Sequence, residues 1–142
     1  MKDFIGHLAS QSRAPRVVVN ATLDDALTHL DHLLEGVAAA LQVEYYGPYV
    51  GVETPEAHQL VVRAHEWVIH QHLWSLKVCS TAPQAEWRAE WPIQGCSRLR
   101  KVRIVQALPD FFAGYCAAVD ASEQAASPSA LRIRDLAARF AA

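Results

Sequence analysis

Apolar residues recur at helical spacing over much of this chain, and that spacing predicts its main elements. Leu23, Leu27, Leu30, Leu34, Val37 and Leu41 fall three and four residues apart, which marks one buried helix face. Asp24, Thr28, Asp31 and Glu35 take the other side, so Thr22 to Tyr45 reads as a half-buried helix. Thr22 and Asp25 have the spacing of a capping box at its start. Phe4, Ile5 and Leu8 share one side of a short amphipathic segment before it. Near the C-terminus Ser127 and Pro128 suit a cap and first helical position, with Ile133, Ala137 and Phe140 facing inward. From Ser97 the pattern predicts another helix, broken or kinked near Pro109 and resuming through Phe112, Tyr115, Cys116 and Val119.

The most apolar stretch runs from Pro55 to Ser80. Thr54 and Pro55 suit a helix start there, and Glu56 suits its positive end. At about 100° per residue Gln59, Arg63, Glu66, His70 and Lys77 form one narrow polar stripe, and the rest is mostly apolar or aromatic. A helix that is apolar on most sides sits at the centre of a fold. The expected class is therefore mainly α: a compact bundle of four to five helices around a central helix at about 55–80, within a single domain over 1–142. The alternative is α+β. In it "RVVVN" (16–20), the stretch 49–53 after the Gly47-Pro48 loop, and "KVRIVQ" (101–106) pair as a small sheet.

Composition changes this picture little. The chain is 51% hydrophobic and 20% charged, which excludes a disordered chain. A net charge of −2 supplies no global field for nucleic acid or an anionic membrane. No apolar run approaches the roughly 20 residues of a membrane span, and the N-terminus has no signal-peptide core. Cys79, Cys96 and Cys116 are odd in number and widely spaced, which fits free thiols in a reducing, cytoplasmic setting.

Candidate chemistry centres on "HEWVIHQHLW", residues 65–74. On a helix His58, His65, His72 and Cys79 form a row at seven-residue spacing. Adjacent members then stand about 10.5 Å apart along the axis, too far for two ligands of one zinc ion. His65 and His72 are read as core imidazoles, or as lining of a pocket with Trp67 and Trp74. Tyr45, Tyr46, Trp87 and Trp91 complete the aromatic set, with Trp87 and Trp91 as interface anchors. Asp25, His29 and His32 are the best-spaced chelating trio, suited to Zn²⁺ or a similar divalent metal. Cys96 lies beside Arg98, Arg100 and Lys101, a setting that lowers a thiol pKa. Arg98, Arg100, Lys101 and Arg103 form the basic cluster, but on a helix they splay around the axis.

No phosphate loop, dinucleotide fingerprint, nucleophile elbow, HExxH or EF-hand loop is present. The expectation is a non-catalytic binding or adaptor protein with no cofactor, acting on a protein partner or a small apolar ligand. Homodimerisation through the long apolar segment is a further expectation. One alternative is a metal-binding helical protein or enzyme using His65 and His72 or the Asp25 trio. The other is a nucleic-acid-associated protein using Arg98–Arg103, which the charge balance disfavours.

Overall fold

The computed structural model describes residues 2–52, 57–68, 71–80 and 90–142, with side chains described outside 65–72. Two helices lead, α1 (Phe4–Arg13) and α2 (Ala21–Leu41). Four strands follow, β1 (Tyr45–Tyr49), β2 (His58–Val68), β3 (Gln71–Ser80) and β4 (Glu90–Pro92). A 3₁₀ turn, Ile93–Gly95, leads into α3 (Arg98–Asp120) and α4 (Pro128–Ala141). The strands form one antiparallel sheet in chain order, β1-β2-β3-β4.

The central helix expected at 55–80 is thus a β-hairpin, and the bundle reading is wrong. Leu60 pairs with Val78, Val62 with Leu76, and Ala64 with Trp74. All six pack into or against the core that the helices complete. The intervening register positions include Val61 and Cys79, which are also buried. Burial on both faces removes the polar alternation that marks an ordinary strand, and the remaining apolar run fits a helical template as well. The sequence between Val68 and Gln71, which pair across the hairpin, holds no glycine, proline, asparagine or aspartate, so no turn signal marked the hairpin. The expected cap at Thr54 and Pro55 lies outside the described residues.

The α+β alternative placed its sheet wrongly too. Residues 16–20 form no strand, and 101–106 are helical. Of the described residues 49–52 only Tyr49 is in a strand, β1, which begins at Tyr45; residue 53 lies outside the described residues. The segment 101–106 is helical because Ser97 caps the chain, its hydroxyl accepting from the Arg100 amide at 3.2 Å. Ile104, Val105, Leu108, Phe112 and Tyr115 then make a helical buried row. Pro109 lies within α3, which continues through it to Asp120. In α2 the cap is Asn20, accepting from the Leu23 amide at 2.9 Å, one turn-start earlier than the Thr22 box. The Ser127 cap and Pro128 start of α4 are as expected, and Ile133 and Phe140 are buried.

All four helices contribute to a core on one side of the sheet. Helix α2 lies along β3, and α3 packs on β1 and α4. One side chain fastens α2 to the sheet. Asp31 accepts from the Leu76 amide at 3.2 Å and from Gln94 at 3.4 Å. The pairing of β4 on β3 stops at Lys77, so the helix carboxylate continues where the strand ends. Asp31→Ala leaves the Leu76 amide without that acceptor and is expected to cost about 1–3 kcal/mol. Denaturant unfolding checks the cost, and faster hydrogen exchange at Leu76 checks its location.

On the opposite sheet face Gln59, Arg63 and Lys77, expected as a helical polar stripe, occupy register positions of one sheet side. Lys77 is only 4% exposed. Its ammonium and the Arg63 guanidinium both meet Glu90, each at 3.2 Å. Among the described residues no helix is long and apolar enough to cross a membrane.

Candidate functional site

A recess in the described structure forms between two segments about eighty positions apart. The first joins α1 to α2. It contains Pro15 and three β-branched valines, which restrict its backbone. Its alternation is that of a strand: Val17 is buried, Val18 is 52% exposed and Val19 is half-buried. It has no strand partner. Instead the Val18 amide donates to the Gln11 side chain at 2.9 Å, and the Arg98 guanidinium donates to the Val19 carbonyl at 3.2 Å. The segment is therefore tied to α1 on one side and α3 on the other.

The second wall is the start of α3. Arg98, Leu99, Val102 and Gln106 line a groove with Pro15, Arg16, Val17 and Val19, with a volume of about 430 Å³. Leu99 is 54% exposed, out of phase with the buried row that begins at Ile104. The floor is thus apolar, with guanidinium groups on both walls. Arg98 opens α3, whose positive dipole end adds to that charge. The lining holds no carboxylate.

A second recess of about 360 Å³ lies among α1, α2 and α4, lined by Ile5, Leu33, Arg132, Asp135, Leu136 and Arg139. Its charges are already matched in part, since Arg139 holds Asp3 at 2.6 Å and Asp135 lies in the lining. The first groove has no such internal match.

The aromatic residues expected at a site go to different places. Trp74 is buried in the core from β3. Tyr45 stacks on Tyr115, with ring centroids 5.8 Å apart and planes 9° apart, and meets Phe111 edge-on at 5.4 Å. Tyr46 is partly exposed on β1. Trp91 lies in β4, where its ring packs against His58 at 5.4 Å and the Arg100 guanidinium covers it at 5.2 Å. Trp87 lies outside the described residues. His65, Trp67 and His72 are described only as backbone of β2 and β3, His65 opposite Leu73 and His72 opposite Glu66. The seven-residue row dissolves with the helix: His58 pairs with Ser80 and Cys79 with Gln59, successive register positions that face opposite ways.

The chelating trio stays on α2, exposed. His29 packs on the Phe4 ring at 5.3 Å, and His32 approaches Glu35 at 3.8 Å. Among the described residues no three histidine, cysteine, aspartate or glutamate side chains gather as a metal site.

Cys96 differs from its expected chemistry. It is half-buried beside Arg100 and Lys101, and burial pushes its thiol up, outweighing the two cations that pull it down. His58 is pushed down by burial and by Arg100. Both groups are therefore neutral near pH 7, and this corner holds no thiolate–imidazolium pair. The basic cluster fans out: Lys101 pairs with Asp24 at 2.8 Å, Arg100 covers Trp91 and Arg98 faces the groove.

Tyr115 is fully buried, and its hydroxyl has no hydrogen-bond partner. Burial pushes its pKa up to about 12. The folded state favours the neutral phenol, so this contribution is complete below about pH 10 and fades as pH rises towards 12. Tyr115→Phe is expected to keep or raise stability at pH 7 and to flatten part of that alkaline loss, read from melting temperatures across pH.

Sequence reading missed the groove because its walls are distant in the chain. The local signals were an alternating valine segment without a partner strand and a leucine off the buried phase of α3. No known protein-family pattern, curated protein or solved structure matches the chain.

Proposed function

We propose that the protein is a non-catalytic binding module whose docking surface is the groove between residues 15–19 and the start of α3. The observation that carries this reading is the exposed Leu99 in the lining of a recess shared with Val17, Val19, Val102 and two arginines, Arg16 and Arg98. Exposed apolar residues clustered beside charged ones are a common mark of a recognition surface. Both walls are held in place by Gln11 and Arg98, so the surface is formed before binding and little ordering entropy remains to be lost. The neutral states of Cys96 and His58 support a binding role over nucleophilic chemistry at that corner. Three free thiols support a reducing, cytoplasmic setting.

Leu99→Asp replaces the exposed anchor with a charge and leaves the buried row of α3 untouched. In a peptide-display selection, wild-type protein is expected to enrich related sequences. The variant, with an unchanged circular dichroism spectrum and melt, is expected to recover them at least about tenfold less well, a difference of about 1.4 kcal/mol. Equal recovery by the two proteins contradicts the proposal.

A further inference from the structure

Resting on that docking reading, we infer that the groove's partner is an acidic peptide segment carrying an apolar anchor. The anchor side chain lies among Val17, Val19, Leu99 and Val102, and neighbouring carboxylates of the partner meet Arg16 and Arg98. The argument is charge complementarity. The chain as a whole has more acidic than basic residues, 15 against 13. Yet the groove lining carries two arginines and no acid. Several cations elsewhere on the described surface are matched within the chain: Lys101 by Asp24, Arg134 by Asp120, Arg139 by Asp3, and Arg63 by Glu90. Among the described residues Arg16 forms no ion pair or hydrogen bond. Arg98 donates to a single carbonyl, which leaves most of its five N–H groups for a second acceptor.

The shape selects a peptide over a small acid. Small-ligand pockets enclose most of the ligand surface. This recess opens to solvent, so a small carboxylate bound in it would keep part of its surface in water. An extended segment crossing the groove buries one side chain and keeps its own backbone solvated. Nucleic acid is disfavoured because Lys101 and Arg100 point to Asp24 and Trp91 and do not join Arg16 and Arg98 in one phosphate-facing stripe. Exposed ion pairs contribute modestly, so the anchor supplies most of the affinity and the carboxylates supply selectivity and encounter rate.

The test uses the full chain with labelled valine and leucine methyl groups, and short synthetic peptides with one central leucine flanked by glutamate, glutamine or lysine. The glutamate peptide is expected to shift the Val17, Val19, Leu99 and Val102 methyls and to bind about 3- to 10-fold more tightly than the glutamine peptide. That advantage is expected to vanish in about 1 M salt, where screening falls to about 3 Å. It is also expected to vanish in the Arg16→Gln/Arg98→Gln double variant, whose melting temperature checks that folding is kept. Equal binding of the glutamate and glutamine peptides at these methyls overturns the acidic partner while leaving the docking function standing. Tighter binding of the lysine peptide overturns it as well. A single-stranded oligonucleotide that shifts the same methyls more strongly assigns the groove to nucleic acid instead. If no peptide shifts them, the docking reading fails with the inference.

Discussion

Phe111→Ala is expected to lower stability by about 3–5 kcal/mol, the range for deleting a fully buried aromatic ring. Phe111 is fully buried on α3. Its ring meets Tyr45 from β1 at 5.4 Å, Phe112 at 5.2 Å and Tyr115 at 5.9 Å. Phe112 in turn stacks on Phe140 of α4 at 4.9 Å. Phe111 therefore joins the edge of the sheet to α3, and Phe112 carries the contact on to α4. Its loss removes dispersion contacts and leaves a cavity that rigid neighbours cannot fill. Against a typical total of 5–15 kcal/mol, the loss leaves a marginal protein. Denaturant unfolding is the check, and the expected signature is a lower midpoint with an unchanged slope. A cost below about 1.5 kcal/mol would show that β1 does not dock on α3 through this ring.

Gly47→Ala is expected to destabilise by about 1–3 kcal/mol through overpacking at the same junction. A Cβ there would stand 2.6 Å from Cδ2 of Phe111 and 2.9 Å from the Leu60 carbonyl oxygen. The carbonyl belongs to the strand beside β1, so it cannot move without disturbing the sheet. The ring is enclosed by Tyr45, Phe112 and Tyr115 and has little room to turn. Removing the ring relieves one collision of the two. The Gly47→Ala penalty should therefore shrink in a Phe111→Ala background, an interaction readable from a double-mutant cycle. Strict additivity of the two changes would mean that the residues do not touch.

The helices were legible where one face is buried and the other wet. Helix α2 shows this best: its buried leucines and exposed acids alternate at helical period, and tertiary packing followed the pattern. Capping chemistry placed the starts of α3 and α4 at Ser97 and Ser127. The hairpin was not legible. Val61, Cys79 and Lys77 are buried on the face opposite Leu60, Val62, Leu76 and Val78, and a strand buried on both faces loses its two-residue period. The abundance of β-branched and aromatic residues in 58–80 was the remaining signal for strands. Misreading it carried the histidine geometry along, because seven-residue spacing aligns side chains on a helix and alternates them on a strand. For the site, the cluster of histidine and tryptophan drew attention, whereas the groove is made of plain residues. Leu99 is informative only once the structure shows it exposed in the groove lining.

The central claim is that recognition occurs where residues 15–19 meet the start of α3. The most direct measurement is the contact site of a display-selected peptide carrying a photoreactive group beside its apolar anchor, with the cross-linked residues read by mass spectrometry. Cross-links within Pro15–Val19 and Arg98–Gln106 are predicted, lost on Leu99→Asp. Cross-links concentrated at Leu33 and Leu136, in the α1–α2–α4 recess, or on the strands would contradict it.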